Sequence, residues 1–163
     1  MKTQSTQWTT ALPAVVLVGV VGGSAQAAAP KSPAVEISVI HALRVDGGLS
    51  IDPGLRDLPQ LTREQPFVRY NVYKLLGRKE LVVEAGRPVT EWLVNGRALQ
   101  VTLLDANEQD GHKRFHMRVT IDEPGKGALI KLLEVTASGN EPFFVGGQSY
   151  QGGTLFLELI VRP

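Results

Sequence analysis

Apolar and polar residues alternate along most of the chain from Val35 onwards, as in β-strands that bury one face. Residues 35–39, 99–103 and 115–121 show this period of two clearly. Turn-forming residues interrupt the alternation roughly every ten residues and predict where strands end. These turn signals are Asp46-Gly47-Gly48, Gly77-Arg78-Lys79, Ala85-Gly86-Arg87-Pro88, Asn95-Gly96, Asp110-Gly111, Pro124-Gly125-Lys126-Gly127 and Ser138-Gly139-Asn140.

The segment between the first strand and Pro66 has helical rather than strand spacing. An aspartate suited to capping and a proline suited to a first helical turn are followed by leucines at intervals of three. These residues are Asp52, Pro53, Leu55, Leu58 and Leu61. Because Pro59 and Pro66 interrupt the segment, it predicts one short helix of at most two or three turns.

Three further patterns predict particular strands. Residues 67–76 are rich in aromatic and β-branched side chains, which predicts a strand that ends at Gly77. Asn95-Gly96 can adopt the positive φ angles of a type I′ turn, so the segments on either side of it should pair antiparallel. Asp110-Gly111 predicts the next hairpin in the same way. Residues 155–161 carry apolar side chains on both faces, which predicts a strand buried on both sides.

About eight strands without a second helix for a parallel crossover predict a mainly all-β fold. We expect an antiparallel β-sandwich with one short helix after the first strand, and a β-barrel is the alternative. Residues 35–163 suffice for a single domain. The chain has no cysteine, so its hydrophobic core has to hold this domain without disulfides.

The first 27 residues have the organisation of a secretory signal peptide. Lys2 precedes an apolar run over residues 11–21, which is shorter than the roughly 20 residues that cross a bilayer, and small residues follow it. We expect cleavage after Ala27, with cleavage after Ala29 or an uncleaved anchor as alternatives. Residues 28–34 should form a flexible leader. The sequence therefore predicts a periplasmic protein without a stable membrane span after processing, or else a secreted one.

Composition and spacing argue against several kinds of chemistry. The 17 basic and 16 acidic residues nearly balance, which disfavours nucleic acid as a partner. His112 and His116 lie four residues apart in a predicted strand, about 13 Å, which is too far for one metal ion. Residues 147–151 lack the closing glycine and the strand-to-helix context of a nucleophile elbow. No phosphate loop or dinucleotide fingerprint is present, so we expect no enzyme, metal or cofactor.

The first candidate binding site is a glycine-rich segment near the end of the chain. Paired glycines would let a partner approach the backbone, while an exposed tyrosine and amides would supply contacts. Alternatively, the glycines shape a wide hairpin or bulges, and the tyrosine folds back on the sheet. The candidate residues are Gly146, Gly147, Gln148, Ser149, Tyr150, Gln151, Gly152 and Gly153.

A second candidate is an aromatic platform made of Tyr73 and Trp92. If both side chains lie outside, they would suit a sugar or an extended peptide. The alternative is that they are core residues or cross-strand pairs, as aromatic residues in strands usually are.

Three groups of short segments are similar in sequence to segments of a known group of proteins. They are Ile51-Asp52-Pro53-Gly54-Leu55-Arg56-Asp57-Leu58, then Tyr70-Asn71-Val72-Tyr73-Lys74-Leu75-Leu76, and Phe144-Val145-Gly146-Gly147 with Gly152-Gly153-Thr154-Leu155. In these segments the chain resembles small exported β-rich envelope proteins of deltaproteobacteria such as myxobacteria. The resemblance covers most of the mature chain and transfers no catalytic residue. The paired glycines before the final strand are also similar to the end of secretin domains, which implies a role beside a trans-envelope machine.

The signal-peptide pattern, together with the absence of catalytic motifs, predicts a non-enzymatic periplasmic protein-interaction module. We expect it to be a soluble subunit of a trans-envelope assembly for secretion or gliding motility. It would bind an envelope protein through a sheet edge or residues 146–153. The alternative is a β-sandwich that binds a glycan or small ligand through Tyr73, Trp92 and Tyr150. Neither prediction implies a particular oligomeric state.

Overall fold

The computed structural model describes residues 32–123 and 128–163. Within them, nine strands form two sheets, and the helical elements are short. The strands are β1 (Ala34–Leu43), β2 (Ser50–Ile51), β3 (Val72–Val82), β4 (Pro88–Trp92), β5 (Ala98–Gln109), β6 (His112–Glu123), β7 (Ala128–Ser138), β8 (Pro142–Tyr150) and β9 (Gly153–Arg162). The predicted signal peptide (residues 1–27), residues 28–31 of the predicted leader and the predicted turn at 124–127 lie outside the described residues.

The two sheets face each other as a sandwich. The first sheet has the order β2-β3-β1-β9-β8, and the second has the order β4-β5-β6-β7. Every neighbouring pair is antiparallel except β2 with β3. The predicted all-β sandwich is therefore confirmed, and the strands form two separate sheets rather than the alternative closed barrel.

The main core lies between the two sheets and contains side chains from both of them. Alternate residues of the longer strands reach it, which is the arrangement that the period of two predicts. Its fully buried members include Val35, Ile37, Val161, Leu99, Val101, Met117, Ile121, Leu155, Leu157 and Leu159.

A smaller outer core lies on the opposite face of the first sheet. There the connection between β2 and β3 covers Ile40, Ala42, Tyr73 and Phe156 with Leu55, Leu61 and Phe67. The first sheet is therefore buried on both faces in this region. Accordingly, residues 155–159 of β9 are all buried, which confirms the prediction of a strand covered on both sides.

The predicted helical segment contains one short α-helix, α1 (Gln60–Arg63), and a separate 3₁₀ turn before it, Pro53–Leu55. A second 3₁₀ turn, Phe67–Arg69, follows Pro66. The first turn has the predicted cap, since Asp52 Oδ1 accepts a hydrogen bond of 2.9 Å from the Gly54 N–H. Pro59 precedes α1, and Pro66 precedes the turn Phe67–Arg69. Because proline has no N–H to donate within a helix, these two residues prevent one continuous helix. None of the helices in the described part of the chain is long and apolar enough to cross a membrane.

The segment predicted as a strand over 67–76 with a turn at Gly77 also differs. Its start is the 3₁₀ turn, because Phe67 has to point into the outer core. Residues 77–79 continue β3 without a turn, and a β-bulge lies beside them, since Val39 pairs with Gly77 and Ile40 with Leu75. The extra residue switches the faces of β3, so Tyr73 points into the outer core and Leu81 packs on the main core.

The predicted hairpins are present, although one turn type differs. β4 pairs antiparallel with β5 as expected. Of Asn95 and Gly96, only Gly96 has a positive φ (76°), so the predicted type I′ turn is wrong. Instead, the Leu93 carbonyl accepts a hydrogen bond of 2.9 Å from the Gly96 N–H. Asp110 and Gly111 do both have positive φ angles (53° and 74°), as a type I′ turn requires.

Candidate functional site: an aromatic groove beside an uncharged edge strand

The predicted glycine-rich loop is mostly regular strand. Residues 146–150 belong to β8, Gly153 begins β9, and only Gln151 and Gly152 form the turn between them. Both turn residues have positive φ angles (43° and 74°), which gives a tight two-residue hairpin. Of the two interpretations of residues 146–153, the structure therefore shows the hairpin and not the exposed loop.

The glycines of this segment are required by packing. A Cβ on Gly146 would lie 2.2 Å from Cδ1 of the Phe156 ring, so only glycine lets this ring lie against the strand. Gly147 has a φ of +97° and is the extra residue of a bulge, because Gly146 pairs with Phe156 and Gln148 with Leu155. The bulge interrupts the alternation of β8 just before Gln148.

Gln148 and Tyr150 are turned into the sandwich, where Gln148 joins the two sheets and Tyr150 packs against β1 of its own sheet. Gln148 is 3% exposed, and its Oε1 accepts a hydrogen bond of 2.9 Å from Asn95 Nδ2 in the turn between β4 and β5. The ring of Tyr150 packs against His41 with the centroids 5.2 Å apart. His41 Nε2 donates to the Tyr150 carbonyl at 3.0 Å. These two predicted partner-binding residues therefore have structural roles, whereas Ser149 and Gln151 are exposed.

Tyr73 and Trp92 do not form the predicted platform. Tyr73 is 1% exposed and lies in the outer core, whereas Trp92 is 63% exposed on β4 of the other sheet. Oη of Tyr73 lies 2.6 Å from the Phe67 carbonyl and 2.9 Å from the Leu61 carbonyl. Burial, together with the neighbouring Tyr70, raises the pKa of Tyr73 to about 12. Its hydroxyl therefore stays protonated and ties the connection between β2 and β3 to the first sheet.

The structure shows a groove that the sequence did not predict, and we call it the aromatic groove. It lies on the outer face of the first sheet beside β8, and its volume is about 440 Å³. The rings of Phe67, Tyr70, Phe144 and Phe156 form its walls, and the backbone of residues 146–147 lies beside them.

The aromatic walls are held by ring contacts and by one hydrogen bond. The ring centroid of Phe67 lies 4.8 Å from the centroids of both Phe144 and Phe156. Tyr70 packs edge-on against Phe156 at 5.6 Å and donates a hydrogen bond of 2.9 Å to Thr154 Oγ1. Edge-to-face arrangements at these distances are favourable beyond the area that they bury. The groove is therefore pre-formed, and its volume is in the range of ligand pockets.

Arg69 brings a positive charge to this site. It is exposed and is the one charged residue among the described residues that line the groove. Within residues 32–123 and 128–163, its guanidinium makes no hydrogen bond or ion pair, whereas Arg87, Arg118 and Arg162 each pair with a carboxylate. The groove thus combines aromatic walls with an unpaired cation.

Strand β8 borders the groove and is an edge of the first sheet. Its nine residues, Pro142–Tyr150, include no charged side chain. The edge strands of the second sheet, β4 and β7, both carry charged residues, and so does β3, which β2 covers only at Val72 and Tyr73. Charges on an edge strand discourage pairing with another chain, so β8 is the long edge with the least protection of this kind.

The hairpin geometry identifies one residue whose backbone faces the open edge of β8. The two-residue turn makes Tyr150 and Gly153 the hydrogen-bonded pair that closes the hairpin. In an antiparallel ladder such pairs alternate with non-hydrogen-bonded pairs, and the next pair is Ser149 with Thr154. Ser149 therefore directs its N–H and C=O away from β9, toward the position of an added strand.

The three histidines lie apart from the groove. His41 is buried on β1, and His112 begins β6 at the far hairpin. His116 Nε2 lies 4.0 Å from Glu134 Oε2 on the exposed face of the second sheet. In the described ranges, no three histidine or acidic side chains are grouped as metal ligands would be.

No family model, curated protein or solved structure matches this chain. The resemblance to myxobacterial envelope proteins therefore stays a prediction from the sequence.

Proposed function

We propose that this chain is exported to the periplasm and acts there as a non-enzymatic protein-interaction module. An extended segment of an envelope protein binds along the open edge of β8 and adds a strand to the first sheet. The observation that carries this proposal is the nine-residue edge strand without charged side chains, directly beside the aromatic groove.

Strand addition would use both features of the site. Main-chain hydrogen bonds to outward-facing groups such as those of Ser149 supply affinity, and pockets for alternate side chains supply specificity. An added strand lies about 4.8 Å from its neighbour, and every second side chain points to the outer face of the sheet. Such a side chain would lie beside Phe144 and could enter the aromatic groove.

The cellular part of the proposal is a soluble subunit of a trans-envelope assembly for secretion or gliding motility. The signal-peptide pattern of residues 1–27 and the resemblance of residues 144–155 to exported envelope proteins support it. The partner would then be another component of the same assembly.

The test is photo-cross-linking in cells that make the full-length chain. A photoreactive residue replaces Glu141, which is exposed just before β8, and a control replaces Thr90, which is exposed on β4 at the opposite side of the sandwich, where Glu91 pairs with Lys79 of β3. We expect a discrete cross-linked protein from the first position and none from the second. Ser149→Pro removes one outward N–H at an edge position that tolerates proline, and it should reduce the yield. Ser149→Ala keeps this N–H and should not.

Equal yields from Ser149→Pro, Ser149→Ala and the unsubstituted serine would contradict strand addition at β8. Circular dichroism and thermal unfolding of each variant show whether the sandwich is intact.

The volume and aromatic walls of the groove also favour a second function, the binding of a glycan or small ligand. Tyr73 and Tyr150 are not available for this role, so Tyr70 and Phe144 would replace them as contacts. Binding of peptidoglycan or polysaccharide fragments to the unsubstituted protein and equally to Ser149→Pro, without a cross-linked protein, would support this function instead.

A further inference from the structure

The positive charge of Arg69 at the aromatic groove indicates which chemical groups a bound segment should carry. A guanidinium presents several N–H donors in a planar fork that matches a carboxylate. Arg69 has such a fork exposed beside the groove, and no described carboxylate is paired with it. The four aromatic walls next to it suit a large apolar side chain, because their ring faces and edges give favourable packing.

We propose that the occupant of the groove is an acidic extended peptide, in which an aromatic or large aliphatic residue enters the groove and a nearby Asp or Glu pairs with Arg69. The inference rests on the proposed protein-interaction function and adds the sequence chemistry of the partner segment. The apolar side chain contacts Phe67, Phe144 and Phe156, and the carboxylate accepts hydrogen bonds from the guanidinium.

Charge complementarity favours this occupant over a basic or neutral segment. A lysine or arginine next to the anchor would be repelled by Arg69, and β8 offers no carboxylate to compensate. A neutral segment would keep the apolar contacts and lose the charge-assisted hydrogen bonds, which are the stronger kind. Because Arg69 is solvent-exposed, the electrostatic part of the affinity should fall as salt increases.

The probe is a set of blocked synthetic peptides titrated into the full-length protein. Each is N-acetylated and C-amidated, built of threonine and valine with one phenylalanine, and carries aspartate, asparagine or lysine one or two positions from the phenylalanine. Fluorescence anisotropy of a labelled copy measures affinity. We expect the best aspartate peptide to bind about two- to fivefold more tightly than its asparagine counterpart, as is usual for an exposed ion pair.

Three variants test the role of Arg69. Arg69→Gln should remove the preference for aspartate and leave the affinity for the asparagine peptide unchanged. Arg69→Lys should restore part of the preference, since the charge remains but the planar fork is lost. Arg63→Gln is the matched control, because Arg63 is exposed on α1, does not line the groove and carries the same charge. It should leave all affinities unchanged.

The outcomes separate this inference from the proposed function. Equal binding of aspartate and asparagine peptides, unaffected by Arg69→Gln, would overturn the acidic partner and leave strand addition standing. An aspartate preference lost in Arg69→Gln but insensitive to Ser149→Pro would support the acidic occupant and overturn strand addition. If no peptide binds, or if a carboxylate-bearing glycan fragment binds more tightly than every peptide, both proposals fail.

Discussion

Replacing Tyr73 with phenylalanine tests how the connection between β2 and β3 is held to the sheet. The substitution keeps the ring in the outer core and removes only the hydroxyl, so it creates almost no cavity. It leaves the carbonyls of Leu61 and Phe67, 2.9 Å and 2.6 Å from Tyr73 Oη, without this donor. Loss of a buried hydrogen-bond partner costs about 1–3 kcal/mol. We expect the free energy of unfolding to fall by about 2 kcal/mol at neutral pH.

The effect should depend on pH with a predictable sign. Burial, with Tyr70 nearby, raises the pKa of Tyr73 from 10.0 to about 12 in the folded protein. Between these values the unfolded chain loses the proton first, so the unfolded state binds fewer protons and stability falls as pH rises. Two pH units correspond to a loss of about 2–3 kcal/mol. The free energies of unfolding of the unsubstituted protein and of Tyr73→Phe should therefore become equal at about pH 11.5.

Urea unfolding followed by far-UV circular dichroism at several pH values measures this difference. Subtracting the two curves removes the titration of every group that the two proteins share. The reasoning would be refuted by a difference that stays constant from pH 7 to 12, or by a Tyr73→Phe protein as stable as the unsubstituted one at neutral pH.

The other predictions concern the glycine segment and the main core. Gly146→Ala should lower the free energy of unfolding in urea by about 1–3 kcal/mol, because its Cβ would lie 2.2 Å from the Phe156 ring. Gly48→Ala is the control, since a Cβ there meets no atom within 4 Å, and it should change this free energy by less than about 0.5 kcal/mol. A double-mutant cycle of Asn95→Ala and Gln148→Ala should show a coupling of about 0.5–1.5 kcal/mol, and strict additivity would contradict a stabilising hydrogen bond between the two sheets at this position. Leu157→Ala should destabilise by about 2–5 kcal/mol, since Leu157 is fully buried, and an unchanged urea midpoint would contradict its place in the core.

Much of the fold could be predicted because alternation and turn chemistry are local signals. The sandwich class, the hairpin at Asn95-Gly96 and the double-sided burial of residues 155–159 all follow from neighbouring residues. The errors arise where tertiary contacts override a local preference. Residues 77–79 have turn composition but continue β3, because the bulge beside them lets one strand serve both cores.

The candidate site was harder to predict because its parts are distant in sequence. Phe67 and Phe156 come from a 3₁₀ turn and from the last described strand, and only the sheet order brings them together. A usable signal was nevertheless present, since Gly146 is a glycine in a strand and such positions accommodate close approach by another group. One of the two sequence interpretations assigned this approach to a partner, whereas the ring of Phe156 occupies it.

The central position of β1 and β9 has a consequence for the rate of folding. Glu36 and Arg162, which form an ion pair across these two strands, are 126 positions apart in the chain. Pairing such distant segments costs the entropy of closing a long loop before their contacts can stabilise the sheet. Proteins dominated by such non-local strand pairs fold in milliseconds to seconds. Until β9 has paired with β1, the first sheet is incomplete, and the aromatic groove lacks the wall that Phe156 provides. The second sheet does not depend on β9, because its strands pair in the order in which they follow one another along the chain.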